Sequence, residues 1–76
     1  MRNELYLFRH SKRFTQSAMA RTIGCSRATY AAVENGDRAG SGAFWTKLQK
    51  AFGIADAEIG GLMKVDEETK NNRPID

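Results

Sequence analysis

Positively charged side chains are concentrated in the first half of the chain. Residues 1–40 contain seven Lys and Arg residues against three acids, whereas residues 41–76 contain five bases and six acids. Guanidinium and ammonium groups that share one part of a surface attract polyanions. The charge distribution therefore indicates a face that binds an anionic partner.

Groups that could carry out catalysis or hold a metal ion are scarce. The chain has one histidine, His10, and one cysteine, Cys25. Together they cannot supply four zinc ligands, a disulfide within one chain, or a nucleophile with a base and an orienting group. We therefore expect a protein that is not an enzyme and that needs no metal or cofactor.

A single small domain must position the cationic residues. The 76 residues and their 41% hydrophobic content suit one soluble fold, and a core of this size is often supported by a second subunit. The segment from Met1 to Ser11 contains only a four-residue apolar run, Leu5 to Phe8. That run is too short for a secretory signal or a membrane span, so we expect a cytoplasmic protein. Because a second subunit often supports so small a core, we also expect a homodimer.

The pattern of apolar residues predicts an all-α chain. Apolar and polar residues do not alternate over a useful length, and the one proline is Pro74, so nothing before it interrupts helix formation. Glycines are placed to end several of the helices. The five predicted helices cover residues 4–12, 16–23, 27–34, 43–52 and 56–63.

The helix starts and the end of the domain follow from polar residues. Asn3, Thr15 and Ser26 are predicted to cap the first three helices, because short polar side chains accept the unpaired N–H groups there. The domain is predicted to span residues 1–64. Residues 65–76 are polar and have no apolar period, which predicts a mobile tail or an arm that a partner orders.

The second and third predicted helices form the most constrained motif in the sequence. Only Gly24 and Cys25 separate the second helix from the Ser26 cap, which is the spacing of a helix-turn-helix. Ala20 is small where the two helices cross. The apolar positions that close the pair are Met19, Ile23, Cys25, Tyr30 and Val33.

The same residues resemble a known family. The runs Phe14-Thr15-Gln16, Gly24-Cys25-Ser26-Arg27 and Val33-Glu34-Asn35-Gly36 are similar to those of the Cro and phage-repressor helix-turn-helix family, often called XRE. Flanking apolar residues extend the resemblance over residues 3 to 63. It implies a compact five-helix bundle, a lambda-repressor-like DNA-binding domain, that usually binds operator DNA as a dimer and regulates transcription.

The resemblance assigns roles to three polar residues. Gln16 matches the position at which a side chain and a helix N-terminus hold a phosphate; the alternative is a helix-start residue that merely faces solvent. Arg9 and Glu34 match an ion pair that ties the first helix to the end of the third. We favour a structural role for this pair, because breaking one partner would leave a buried charge uncompensated.

Base contacts are expected from the start of the third helix. Arg27 is the strongest candidate, because a guanidinium can bridge guanine O6 and N7; neutralising a phosphate is the equally supported alternative. Thr29 could reach a base edge or a phosphate, and Ala28 and Ala32 could touch a thymine methyl group. Alanines stand here and at Ala31 where relatives carry longer polar side chains, so part of any specificity is expected from DNA shape.

Phosphate contacts are expected from residues around this helix. Besides Gln16, the candidates are Ser26, which is also a cap, and Asn35, Arg38, Arg13 and Lys12. Each of the last four residues could equally be a solvated surface group. Tyr30 stands where the family prefers Ile or Val, and we expect its hydroxyl to turn outward.

The dimer surface is expected on the fifth helix and the adjoining end of the fourth. Ile59, Leu62 and Met63 exceed what so small a core needs, whereas Phe44 and Trp45 could belong to either the core or this surface. The predicted function is a sequence-specific regulator, a repressor, that binds a palindromic double-stranded operator. The alternative is an antitoxin or adaptor that uses the same domain mainly to bind a partner protein.

Overall fold

The structure, a computed structural model, describes residues 1–66, which form five α-helices and no strand. The all-α prediction is confirmed, and no predicted helix end differs from the observed one by more than one residue. Residues 67–76, which make up most of the predicted tail, lie outside the described residues. The helices are α1 (Asn3–Ser11), α2 (Gln16–Ile23), α3 (Arg27–Asn35), α4 (Gly42–Phe52) and α5 (Asp56–Met63).

Side-chain hydroxyl groups start three of the helices. The Oγ atoms of Thr15, Ser26 and Ser41 each accept a backbone N–H from the residue three positions later, at 3.1 Å in every case. These bonds satisfy N–H groups that have no partner within the helix. At the other end of α2, Gly24 adopts the left-handed conformation with φ of 86°, which produces the sharp turn into α3.

Helix α1 starts differently from the prediction. Asn3 is not the cap but the first helical residue, and the cap position is Arg2, whose side chain makes no capping bond. The Asn3 N–H instead donates to Oδ2 of Asp66 at 3.0 Å. Asp66 also donates its backbone N–H to the Met1 carbonyl at 2.9 Å. A carboxylate from the far end of the described chain therefore caps α1 and opposes its positive dipole end.

The hydrophobic core lies between α1, α2, α3 and α4. Phe44 and Trp45 are each 5% exposed, which places both in the core rather than on an outer surface. Half-buried apolar side chains, including Ile59 and Leu62 of α5, pack around it. The buried cluster consists of Leu5, Met19, Ala20, Ile23, Tyr30, Val33, Phe44, Trp45 and Leu48.

Helix α5 is the least buried of the five. None of its residues is fully buried, and Met63 at its end is 41% exposed. Glu58 supports the start of the helix, since its Oε1 accepts the Ala55 N–H at 3.3 Å. Within residues 1–66, no helix is both long enough and apolar enough to cross a lipid bilayer.

Candidate nucleic-acid interface

The start of α3 projects from the domain. Ser26, Arg27 and Ala28 are exposed and Thr29 is half-buried. The Ser26 hydroxyl accepts the Thr29 N–H at 3.1 Å and donates to Thr29 Oγ1 at 2.9 Å. This end of the helix is thus capped by its own first turn, and the Arg27 side chain lies in solvent with the positive end of the helix dipole behind it.

The other predicted base-contacting residues are less accessible. Ala32, one turn further along α3, is half-buried. Its carbonyl accepts the N–H groups of Asp37 and Arg38 at 2.9 and 3.2 Å, so these bonds close the C-terminal end of the helix. Arg27 and Ala28 are therefore the most exposed of the four predicted base-contacting residues.

The end of α3 is held by a buried polar network around Glu34. Oε2 of Glu34 accepts from Arg9 Nε at 2.8 Å, and Oε1 accepts from Arg9 Nη2 at 3.1 Å. The Arg9 and Glu34 side chains are 2% and 1% exposed. Arg9 also donates through Nη1 to the Phe14 carbonyl at 2.8 Å. This two-pronged, charge-assisted pair fixes α3 against α1 and against the segment that leads into α2.

Tyr30 belongs to the same network, and the prediction that its hydroxyl turns outward is wrong. The side chain is fully buried, and its hydroxyl donates to Glu34 Oε2 at 2.8 Å. The reason is helical spacing: Tyr30 and Glu34 are four residues apart and share one face of α3. Burial first, and then the neighbouring Glu34 carboxylate, raise the pKa of the Tyr30 phenol, so the group remains a hydrogen-bond donor.

Gln16 joins the network from the start of α2. The residue is 6% exposed, and its Nε2 donates to Glu34 Oε1 at 3.0 Å. It therefore does not simply face solvent, as one sequence interpretation had it. The side chain ties the first residue of α2 to α3 inside the protein.

The remaining predicted phosphate contacts are spread around the two helices. Lys12, Arg13 and Arg38 are exposed, whereas Asn35 is half-buried. The Lys12 ammonium lies 5.2 Å from the ring centroid of Phe8 and 5.8 Å from that of Phe52, so aromatic rings hold it in place. Arg13 has a φ of 60°, a left-handed conformation that ends α1 and turns the chain toward α2.

The exposed charge of the α1 to α4 region is strongly positive. Across residues 1–50, seven cationic side chains are exposed but only two acidic ones, Glu4 and Asp37, because Glu34 is buried in the network. Such a surface attracts polyanions. Among residues 1–66, no three side chains of His, Cys, Asp or Glu come together as a metal site.

The sequence matches a model of a protein family. The model described as "Helix-turn-helix domain" covers residues 1–60, which include α1 to α4 and the first part of α5. The chain belongs to the helix-turn-helix domain family. No curated protein and no solved structure matches the chain.

In this helix-turn-helix domain, the closing positions predicted from the sequence lie between α2 and α3. Met19, Ala20, Ile23, Tyr30 and Val33 are all buried, and Cys25 is half-buried. Burial raises the pKa of the Cys25 thiol, so at neutral pH the group acts as a small apolar side chain rather than as a nucleophile.

Two cations of the helix-turn-helix domain were missed by the sequence analysis. Lys47 of α4 donates to the Gly24 carbonyl at 3.4 Å, which places a positive charge beside the turn. Its position one residue before buried Leu48 could have suggested this. Arg2 is buried, at 4% exposed, and no apolar or polar period of the sequence indicates that an arginine next to the N-terminus lies inside the fold.

Proposed function

We propose that this helix-turn-helix domain is a sequence-specific DNA-binding transcriptional regulator, a repressor, that places α3 in the major groove. The observation that carries the proposal is the asymmetry of α3. Its first turn is exposed and cationic, and its last turn is locked to α1 and α2 by the Glu34 network. A helix held at one end can present the other to base edges in a fixed orientation.

In this proposal Arg27 makes the main base contact and its neighbours complete the readout. A guanidinium that bridges guanine O6 and N7 contributes about 1–3 kcal/mol of discrimination against other bases. Ala28 and Ala32 contact thymine methyl groups, and Thr29 contacts a base edge or a phosphate. With few hydrogen-bonding side chains on this face, DNA shape and flexibility contribute to specificity.

Contacts to the DNA backbone set the register of α3. The proposed donors are the start of α2 at Gln16, the start of α3 at Ser26, and the surrounding side chains. The exposed cations Lys12, Arg13 and Arg38 support this role, since a phosphate that a cation neutralises releases a counterion. The surrounding phosphate-contacting side chains are Lys12, Arg13, Asn35 and Arg38.

The proposed regulator binds as a homodimer through α5. Ile59 and Leu62 are half-buried and Met63 is 41% exposed, so α5 offers apolar surface that a second copy could cover. A two-fold dimer predicts a palindromic operator with half-sites about one helical turn apart. Sedimentation that finds only monomer at tens of micromolar protein would contradict the dimer.

Selection of bound duplexes from a random oligonucleotide pool tests the proposal and supplies the operator sequence. With that operator, Arg27→Ala should lower the preference for the selected sequence over a scrambled one by about 1–3 kcal/mol. Lys12→Ala is the matched control, because loss of a phosphate contact weakens both duplexes alike.

Equal losses on both duplexes for the two variants would reassign Arg27 to a phosphate. Wild-type protein that ignores double-stranded DNA even at low ionic strength would overturn the proposed function.

A further inference from the structure

Arg2 is a buried cation whose hydrogen bonds go to backbone carbonyls. Its Nε donates to the Met63 carbonyl at 2.9 Å, and its Nη1 donates to the carbonyls of Val33 and Arg38. Its Nη2 donates to the Ala39 carbonyl at 3.1 Å. One side chain thus connects the last turn of α3, the loop after it and the last residue of α5.

The burial of this charge needs compensation. Within residues 1–66 the structure gives Arg2 no carboxylate partner. Two helix C-termini, those of α3 and α5, point carbonyl groups at the guanidinium, and a helix C-terminus carries a partial negative charge. The Trp45 ring lies 5.5 Å from the Arg2 guanidinium carbon, which adds a cation–π contact. The site is therefore built for a planar cation with donors on separate nitrogens.

The loop of residues 37–41 is fixed by the same contacts. The Ala39 carbonyl that accepts from Arg2 also accepts from Trp45 Nε1 at 3.3 Å. Gly40 follows with a φ of 82°, and a Cβ atom there would lie 2.7 Å from Trp45 Nε1. The Arg2 guanidinium and the Trp45 indole, which lie against each other, thus both hold the loop backbone through the Ala39 carbonyl.

This loop carries Arg38, whose side chain is exposed and is a proposed phosphate contact. We infer that Arg2 is a positioning residue for DNA binding. By holding the carbonyls of residues 38 and 39, it keeps the Arg38 side chain where it can contact a phosphate of the DNA. The inference rests on the proposed function, since Arg38 acts only when a duplex is bound. Arg2 itself, being buried, does not touch the DNA.

Lysine cannot replace arginine here. A lysine ammonium has three donors on one atom, whereas the four carbonyls surround three different nitrogens of the guanidinium. Arg2→Lys keeps the charge and the hydrophobic stem but loses several of these bonds. The variant therefore separates the positioning role from the simple presence of a positive charge.

The test is a double-mutant cycle on the salt dependence of binding to the selected operator duplex. Arg38→Ala should reduce the slope of log affinity against log salt concentration by about one. Arg2→Lys should reduce the slope by the same amount, and the double variant should lose no more than either single variant. Lys50→Met, which removes an exposed charge of α4, is the control and should keep the wild-type slope. A full slope in Arg2→Lys, or losses that add in the double variant, would overturn the inference.

A second measurement on the free protein is independent of DNA. Hydrogen exchange at the Trp45 indole N–H and the Arg38 backbone N–H should accelerate at least tenfold in Arg2→Lys, while the Met19 N–H in α2 keeps its protection. Unchanged exchange at Trp45 and Arg38 would overturn the inference even if DNA binds. Wild-type protein that does not bind any duplex would instead overturn the proposed function, whatever the exchange shows.

Gly40→Ala provides the same test with Arg2 intact. The added Cβ displaces the Trp45 indole, which donates to the same Ala39 carbonyl as Arg2, and the salt slope should again fall by about one. This variant also serves if Arg2→Lys does not fold. A displaced loop that leaves the slope unchanged would show that the position of Arg38 does not matter.

Discussion

The two ends of α3 are stabilised by different means. At the end of the helix, Glu34 accepts hydrogen bonds from Arg9, Gln16 and Tyr30 in a site closed to solvent. At the start, the Ser26 hydroxyl bonds to Thr29 within the same turn, and Arg27 is exposed. The difference shows how a short helix can be rigid and accessible at once: buried, long-range bonds are confined to its last turn, and its first turn remains exposed.

The two ends also differ in what a mutation there should change. Substitutions in the buried network should lower the free energy of unfolding, because they leave charged or polar groups without partners inside the protein. Substitutions in the exposed turn should leave the fold nearly unchanged and alter DNA binding. Three variants, in order of decreasing effect on stability, test this division.

Glu34→Ala should have the largest effect. It removes the carboxylate that compensates Arg9 and accepts from two further donors, and breaking a buried ion pair in this way costs about 3–5 kcal/mol. Urea unfolding followed by circular dichroism measures the loss. Glu4→Ala, which removes an exposed acid of α1, should change the unfolding free energy by less than about 0.5 kcal/mol. Similar losses in the two variants would show that the network does not hold α3.

Tyr30→Phe should have an intermediate effect that depends on pH. Loss of one hydrogen bond to a charged group costs about 1.5–3 kcal/mol near neutral pH. Because burial and Glu34 raise the pKa of the Tyr30 phenol in the folded state, the unfolded chain ionises first as the pH rises. The contribution of Tyr30 is therefore complete below the unfolded pKa of about 10 and falls by about 1.4 kcal/mol per pH unit above it.

Urea unfolding at pH 8 and pH 11 measures this dependence. The difference in stability between wild type and Tyr30→Phe should shrink at the higher pH. A difference that stays constant between the two pH values would mean that the Tyr30 phenol ionises as easily in the folded protein as in the unfolded chain.

Ser26→Ala should have the smallest effect on stability. Loss of an N-cap costs about 1 kcal/mol, and Ser41→Ala is a close control because Ser41 caps α4 with the same 3.1 Å bond. Both variants should lose similar stability in thermal unfolding. Only Ser26→Ala should also weaken binding to the selected operator duplex, and equal affinities for the two variants would place the DNA contact elsewhere.

Local patterns predicted most of the fold. Helical periodicity, together with caps such as Ser26 and turns such as Gly24, located the five helices and the residues that close α2 against α3, because each signal lies within a few residues of its consequence.

Long-range polar contacts could not be predicted in the same way. The inward hydroxyl of Tyr30 depends on Glu34 being buried, and the burial of Glu34 depends on Arg9 of another helix. Arg2 and Asp66 act on groups more than thirty residues away along the chain. Such contacts follow only from the assembled packing, because the sequence around Arg2 or Asp66 resembles that of an ordinary solvated surface.

The carboxylate of Asp66 has a practical consequence for choosing fragment boundaries. A fragment that stops at Met63 would contain the five helices of residues 1–66, yet it would expose the first N–H groups of α1 and remove the bond between residue 66 and the Met1 carbonyl. A fragment that keeps these bonds therefore extends at least three residues past the end of α5, and a C-terminal fusion partner belongs beyond that point.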